Sequence, residues 1–381
     1  MFFVFFCACA VFLVYHGFVL LLPSALGVSL TATRRFVRRC SPSKSIRLCG
    51  RRGTRPRADV VGDTVSLAAV QFCGSPWVCP DCSRVIRARR ADTLSTVAGA
   101  HCASGGALSM ATLTVRHNLH QSLSLLLDAV SSGWTAVRNG VAWRRDFAEL
   151  GLVGYVRALE VTYGANGWHP HLHVLLFWDR PVGDATVEHV QGALLASWSR
   201  GVGKVLEALP SVSRGVDHRL VDSHGAAYLA KAGFETVGIG KASLVSQFAS
   251  DNDVSHFREF DKSMKGRRSI VSSKYVRGLM RDMFLSDDES VDEVVLDEGT
   301  GVGGDDLRLS VSIDPHVWFA ISGDDYLLDG FIRGCKQGIV FLDDWYLEQV
   351  ALGALPRVHD AFLDCTGEQI VEREKARAKA C

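Results

Sequence analysis

The run Trp168-His169-Pro170-His171-Leu172-His173-Val174-Leu175-Leu176-Phe177 sets three imidazoles at spacing two ahead of an apolar stretch. Alternation that turns wholly apolar predicts a strand buried first on one face and then on both. Successive strand side chains point to opposite faces, so His171 and His173 emerge together about 7 Å apart, close enough to grip one metal ion. Leu172, between them, points into a core. His169 can join the histidine face, although Pro170 fixes a dihedral and removes a ladder donor beside it. A lone strand histidine is ordinarily a satisfied polar residue. Three in alternation at the edge of a hydrophobic core point to a metal or catalytic site.

The neighbouring elements decide what else reaches that face. Gly154 to Thr162 reads as a strand, and Gly164-Ala165-Asn166-Gly167 as a turn with an Asn-Gly pair suited to positive backbone angles. The two strands then form an antiparallel hairpin, in which Glu160 can supply a carboxylate to the same metal if the register holds. Ala107 to Val115 reads as the first strand of the same domain and ends at Arg116-His117. Helical spacing follows over Leu119 to Val130 and over Trp134 to Leu150. A helix over Ala185 to Ser199 and a short strand over Val212 to Leu220 complete this part.

Asp222-Ser223-His224-Gly225-Ala226-Ala227-Tyr228-Leu229-Ala230-Lys231-Ala232-Gly233 reads as a helix capped near Asp222 or Ser223 and stopped by Gly233. The spacings of four and three residues put His224, Tyr228 and Lys231 on one face. A phenol beside an ammonium is stabilised as phenolate, the form that attacks phosphorus. Taken alone, such a pair is more often packing and solvation.

Upstream lies Cys73-Gly74-Ser75-Pro76-Trp77-Val78-Cys79-Pro80-Asp81-Cys82. The two-residue gap between Cys79 and Cys82 lets their thiolates share a tetrahedral Zn²⁺, with Cys73 as a third ligand and Cys49 as a fourth. A redox pair is the alternative. Ser83 to Ala91 reads as a short helix carrying Arg84, Arg87, Arg89 and Arg90, either a solvated basic face or a phosphate contact. No aromatic base-stacking partner stands nearby, so the helix predicts affinity for DNA without sequence choice. A second basic stretch, with Lys265, Arg267 and Arg268, follows a helix read over Leu244 to Asp261 and offers another phosphate contact.

At 381 residues the chain can bury a large core, and its 42 basic against 41 acidic residues leave the average charge uninformative. The distribution says more: basic residues dominate from Arg34 to Arg90, and Asp287 to Asp306 is strongly acidic. Eleven cysteines, most of them scattered, fit a reducing compartment with one metal site better than a disulfide framework. Residues 1–30 are apolar enough for a membrane span, with the following arginines held on the cytoplasmic side. They lack the basic n-region of a signal peptide, and a start assigned too far upstream is the favoured explanation, with a cytoplasmic protein behind it. The expected divisions are a basic linker at 31–63, the cysteine cluster and Arg-rich helix at 64–105, and a catalytic domain at 106–280. An acidic linker at 281–306 and a C-terminal appendage at 307–381 follow.

Four of these stretches, in this order, resemble the rolling-circle replication initiators of bacterial plasmids, which are HUH endonucleases. They are the Cys73 to Ser83 cluster with its Arg-rich follower, Thr112-Leu113-Thr114-Val115-Arg116-His117, Glu160 through His173 to Leu176, and Tyr228-Leu229-Ala230-Lys231. The resemblance spans roughly Cys49 to Lys274. It implies an α+β fold: a central antiparallel sheet flanked by helices, an upstream zinc-binding module and a small C-terminal appendage. It also implies a reaction on origin DNA, single-stranded or extruded from supercoiled duplex. Mg²⁺ or Mn²⁺ held at His171 and His173 polarises the scissile phosphate, Tyr228 attacks, and a 5′-phosphotyrosine forms. The freed 3′-OH primes synthesis with host helicase and polymerase. Some members carry a glutamate one helical turn before the tyrosine, thought to activate the terminating water; here that place holds His224. Only one tyrosine stands in the motif, and the hydrophobic start is foreign to the family. Two rivals compete: a histidine-triad nucleotide hydrolase, in which a histidine is the nucleophile, and a non-catalytic zinc-dependent DNA-binding protein.

Overall fold

The computed structural model describes residues 3–7, 10–15, 18–22, 30–61, 64–221, 243–285, 291, 293–297, 308–313, 315–323 and 325–336. Within the apolar start, β1 (Phe3–Cys7), β2 (Ala10–Tyr15) and β3 (Phe18–Leu22) pair as an antiparallel meander. Among the described residues, no helix is long and apolar enough to cross a membrane.

The stretch read as a basic linker is instead ordered. It forms α1 (Leu30–Cys40), α2 (Lys44–Arg47) and β4 (Arg57–Val61), followed by β5 (Thr64–Ala68). Phe36, Val37 and Cys40 are buried in the main core. The Ser41 hydroxyl donates to Asp261 at 2.6 Å, 220 positions away, and contacts of that reach are invisible to composition.

The Arg-rich helix, expected over nine residues, runs for 24 as α3 (Pro80–Ala103). Pro80 at its first turn is preset for helix, and Asp81 suits the positive end of the dipole. Next come β6 (Ala107–Thr114) and α4 (Leu123–Asn139), which is capped by the Ser122 hydroxyl accepting from the Leu125 N–H. A π-helical turn, Ala142–Asp146, leads into the short α5 (Phe147–Glu149). The hairpin is β7 (Leu152–Gly164) and β8 (Gly167–Trp178), and then come α6 (Asp184–Val202) and β9 (Val216–Val221). In the turn, Gly167 has φ +85°, and a Cβ there would meet Leu119 backbone at 2.9 Å. The single helix expected over Leu244 to Asp261 is two, Leu244–Ser250 and Val254–Met264, broken where Asn252 takes φ +50° and Asp253 caps the second.

The central sheet is antiparallel throughout, ordered β10-β7-β8-β6-β9, with β10 at Ile270–Ser272. The fold class is therefore α+β, with helices on both faces of this sheet. Strand parity divides its two cores. Leu172, Val174, Leu176 and Trp178 face α4 and α6, whereas Leu175 and Phe177 face α3 and the helix Lys274–Asp282. The histidines at odd positions belong to the α3 side.

Two further strands, β11 (Glu293–Asp297) and β12 (Arg308–Ser312), pair with β5 and β4 to give a second sheet, ordered β11-β5-β4-β12. The helices Pro315–Ile321 and Asp325–Lys336 bury Trp318, Leu328 and Phe331 against Ala58, Val60 and Leu67. So the segments read as an acidic linker and an appendage close a sheet that starts within the supposed basic linker. Such pairing across more than two hundred residues has no local signature.

Candidate metal centres

The hairpin register places Glu160 directly opposite His171, with Ala158 opposite His173. On the other side of β8, Thr114 and Thr112 stand opposite the same two histidines. One oxygen of Glu160 lies 3.1 Å from His171 Nε2 and 2.9 Å from His173 Nε2, and the two nitrogens are 3.1 Å apart. These three atoms form a nearly equilateral triangle. Adjacent ligands of an octahedral cation at about 2.1 Å stand about 3.0 Å apart, so the donor set fits one face of such a site. Glu160 is 2% exposed. Burial works against its ionised form, but hydrogen bonds from His171 and His173 outweigh it and hold the carboxyl down to about 2.

Each imidazole is turned by its other nitrogen. His171 Nδ1 donates to the His169 carbonyl at 3.4 Å, and His173 Nδ1 lies 3.1 Å from the Thr112 hydroxyl. Both Nε2 atoms are thereby aimed at the shared point, the usual support for a metal-binding histidine. Thr112 was visible in the sequence as part of the first strand without a role; its parity with the histidines is the signal that could have found it. Thr112→Val keeps a β-branched residue in the strand and removes the hydroxyl. Mn²⁺ affinity is expected to fall about 10- to 100-fold by titration, and wild-type affinity would remove Thr112 from this role.

His169 stands outside the triangle. Its ring stacks on His117 at 4.7 Å and 24°, and burial, with the neighbouring His171 and His117 imidazoles, pushes it down to about 4. Cys49, Cys73, Cys79 and Cys82 come together as expected, all four sulfurs lying within 4.8 Å of one another. The Cys49 sulfur is 3.4 Å from that of Cys82 and 3.5 Å from that of Cys79, and Cys73 is 3.7 Å from Cys82. Four sulfurs at about 2.3 Å from a tetrahedral ion would stand about 3.8 Å apart, so this set fits a metal too. The Cys73 N–H donates to Cys49 Sγ at 3.3 Å. Sulfurs crowded around Cys73, Cys49 first among them, push its thiol up.

Arginines that sequence reading left in a linker surround this cluster. Arg34 forks onto Asp81, between Cys79 and Cys82, at 2.6 to 3.0 Å. Arg38 donates to the Cys49 carbonyl at 3.2 Å and to the Ser322 carbonyl at 2.6 Å, and burial pushes it down to about 10.

The expected DNA contacts divide. Arg89 is exposed and Arg84 half-buried, as are Lys265 and Arg268 on the one hand and Arg267 on the other. Arg87 and Arg90 are only 5% and 7% exposed. Arg87 donates to the Pro76 carbonyl at 3.0 Å and Arg90 to the Ile270 carbonyl at 3.3 Å. The placement of these two as phosphate contacts is thus corrected to bracing, because the long α3 packs down on the sheet. Arg267 donates to the Ser263 carbonyl at 3.0 Å. His224, Tyr228 and Lys231 lie outside the described residues, as does the helix read around them.

In sequence, the chain is similar to replication proteins over the part that holds the hairpin and most of both donor sets. The replication-protein family model matches residues 64–191, the stretch that contains α3, the hairpin and most of both donor sets. Over 347 aligned residues the chain is 24% identical to "Protein rep" of Streptomyces lividans, covering 70% of this chain and 75% of that protein. Over 162 residues it is 28% identical to "Neomycin resistance protein" of Streptomyces cyanogenus, covering 36% of this chain and 37% of that one. No solved structure matches.

Proposed function

We propose that this protein starts rolling-circle replication of a plasmid by cutting one strand of origin DNA and keeping the cut end covalently, as a single-tyrosine HUH endonuclease. The observation that carries this reading is the convergence of Glu160, His171 and His173 on one point within a replication-protein domain. When bound there, Mg²⁺ or Mn²⁺ would draw charge from the scissile phosphate. The near-octahedral spacing of the donors favours these ions over tetrahedral zinc, which suits the four sulfurs instead.

Tyr228 supplies the nucleophile. Its phenolic oxygen bonds to phosphorus, the P–O3′ bond breaks, and the products are a 5′-phosphotyrosine and a 3′-OH. The phenolic proton is lost as the bond to phosphorus forms and the departing 3′ oxygen takes one up, while His224, four residues before the tyrosine, serves as the base that activates water at termination. Lys231, three residues on, steadies phenolate or phosphate. Arg84, Arg89, Lys265 and Arg268 hold the DNA backbone by charge. The 3′-OH then serves host polymerase behind a host helicase.

Incubated with single-stranded origin DNA and Mn²⁺, the protein is expected to yield a covalent DNA–protein adduct and a shortened strand ending in 3′-OH, and Tyr228→Phe to yield neither. Nucleotide hydrolysis that survives Tyr228→Phe but not His171→Ala would move the reading to a histidine-triad hydrolase. Binding without cleavage would leave a DNA-binding module.

A further inference from the structure

We infer that the cysteine cluster is a positioning device for the Glu160–His171–His173 site, acting through α3 and its buried residues Arg87 and Arg90. This rests on the reading that those three side chains hold a divalent cation. Cys79 caps α3 and Cys82 lies in its first turn, so whatever the four sulfurs hold fixes that end of the helix. Farther along, Leu94, Val97 and Ala98 pack on Met110, Ala158 and Leu175. Ala158 and Leu175 lie on the same sheet face as Glu160 and His173, each two residues away along its strand. The helix therefore spans the space between the two donor sets.

The two guanidinium groups sit along that span. Arg87 reaches back to the Pro76 carbonyl, in the loop between Cys73 and Cys79, and its charge acts on Glu160. Arg90 reaches forward to the Ile270 carbonyl; Ile270 pairs with Ala158, and Ala158 with His173. One arginine thus ties α3 to the cysteine loop, and the other ties it to the strand beside the metal-facing hairpin. Burying a charge is costly unless it is well paired, and packing alone would be served by leucine or methionine. Two buried arginines on one turn, Arg87 within electrostatic reach of Glu160 and Arg90 tied to β10 beside the hairpin, are accounted for by orientation of that carboxylate and its strand. Release of the ion from the sulfurs frees the first turn of α3 and slackens both ties.

The test is Mn²⁺ titration followed by electron paramagnetic resonance on zinc-replete protein, with zinc content and thermal midpoint measured alongside. Wild-type protein should bind Mn²⁺ and His171→Ala should not; if they behave alike, the cation reading fails before the inference is reached. Arg87→Met is expected to keep its zinc and bind Mn²⁺ about tenfold more weakly, the low end of the loss seen when a group supporting metal ligands is removed. Arg87→Lys should fall between the two, and zinc extraction from the wild type should weaken Mn²⁺ binding in parallel. Unchanged affinity in Arg87→Met overturns the inference. Tighter binding overturns it as well, since that is the sign of simple charge repulsion. If Arg87→Met does not fold, Arg87→Lys decides, with wild-type affinity counting against and weaker affinity for.

Discussion

Glu160→Gln is expected to leave a folded protein that has lost most of its hold on a divalent cation. The amide is nearly isosteric with the carboxylate, so the opposition of position 160 to His171 and the burial of the hairpin survive. What disappears is the only anionic donor among the three atoms that converge there. Loss of a group that merely supports a ligand costs 10- to 100-fold in affinity, so loss of the charged ligand itself should exceed ~100-fold. Strand cleavage should fall by on the order of 10²- to 10³-fold, the usual effect of deleting one electrostatic contribution to a charged transition state. Mn²⁺ titration and a nicking assay at matched secondary-structure content check both. Wild-type cleavage by Glu160→Gln would take the carboxylate out of the ligand set.

Arg34→Met should strongly destabilise the fold. Arg34 and Asp81 are 6% and 7% exposed, and their paired atoms are as close as 2.6 Å. Removing one partner strands a buried carboxylate in the helix turn between Cys79 and Cys82. Breaking such a pair typically costs about 3–5 kcal/mol. Replacing both, as in Arg34→Met with Asp81→Leu, removes the stranded charge and should recover much of that loss. Urea unfolding of the two variants distinguishes the cases. Equal destabilisation in single and double variants would mean that Asp81 matters to the helix start and not to the arginine.

The histidine strand was legible because period-two alternation is local, and hairpin register follows from a short turn. Glu160 could be placed opposite His171 for the same reason. The four-cysteine set was legible from the CxxC spacing, although Cys49 needed the fold to bring it 3.4 Å from Cys82. What sequence could not give was order imposed from a distance. Arg34, Arg38 and Ser41 sit in a composition typical of linkers, and their partners come from α3, from residue 322 and from residue 261. The length of α3 was hidden because its buried stripe beyond the first turn, Ile86, Arg87, Arg90, Leu94, Val97, Ala98 and His101, includes three basic side chains, which blurs the apolar pattern that marks a surface helix. That same burial turned Arg87 and Arg90 from expected DNA contacts into braces.

The pairing of β4 and β5 with β12 and β11 sets an order of events during synthesis. Ala68 leaves the ribosome 225 residues before Glu293, and at common elongation rates the wait is roughly 11–45 s. Throughout that interval both edges of the β4–β5 hairpin are bare, inviting adhesion to other nascent chains. A fragment ending near residue 191 would stay in that state permanently, so the family-matching stretch is poorly suited to excision, and shortened versions should retain residues through at least 336.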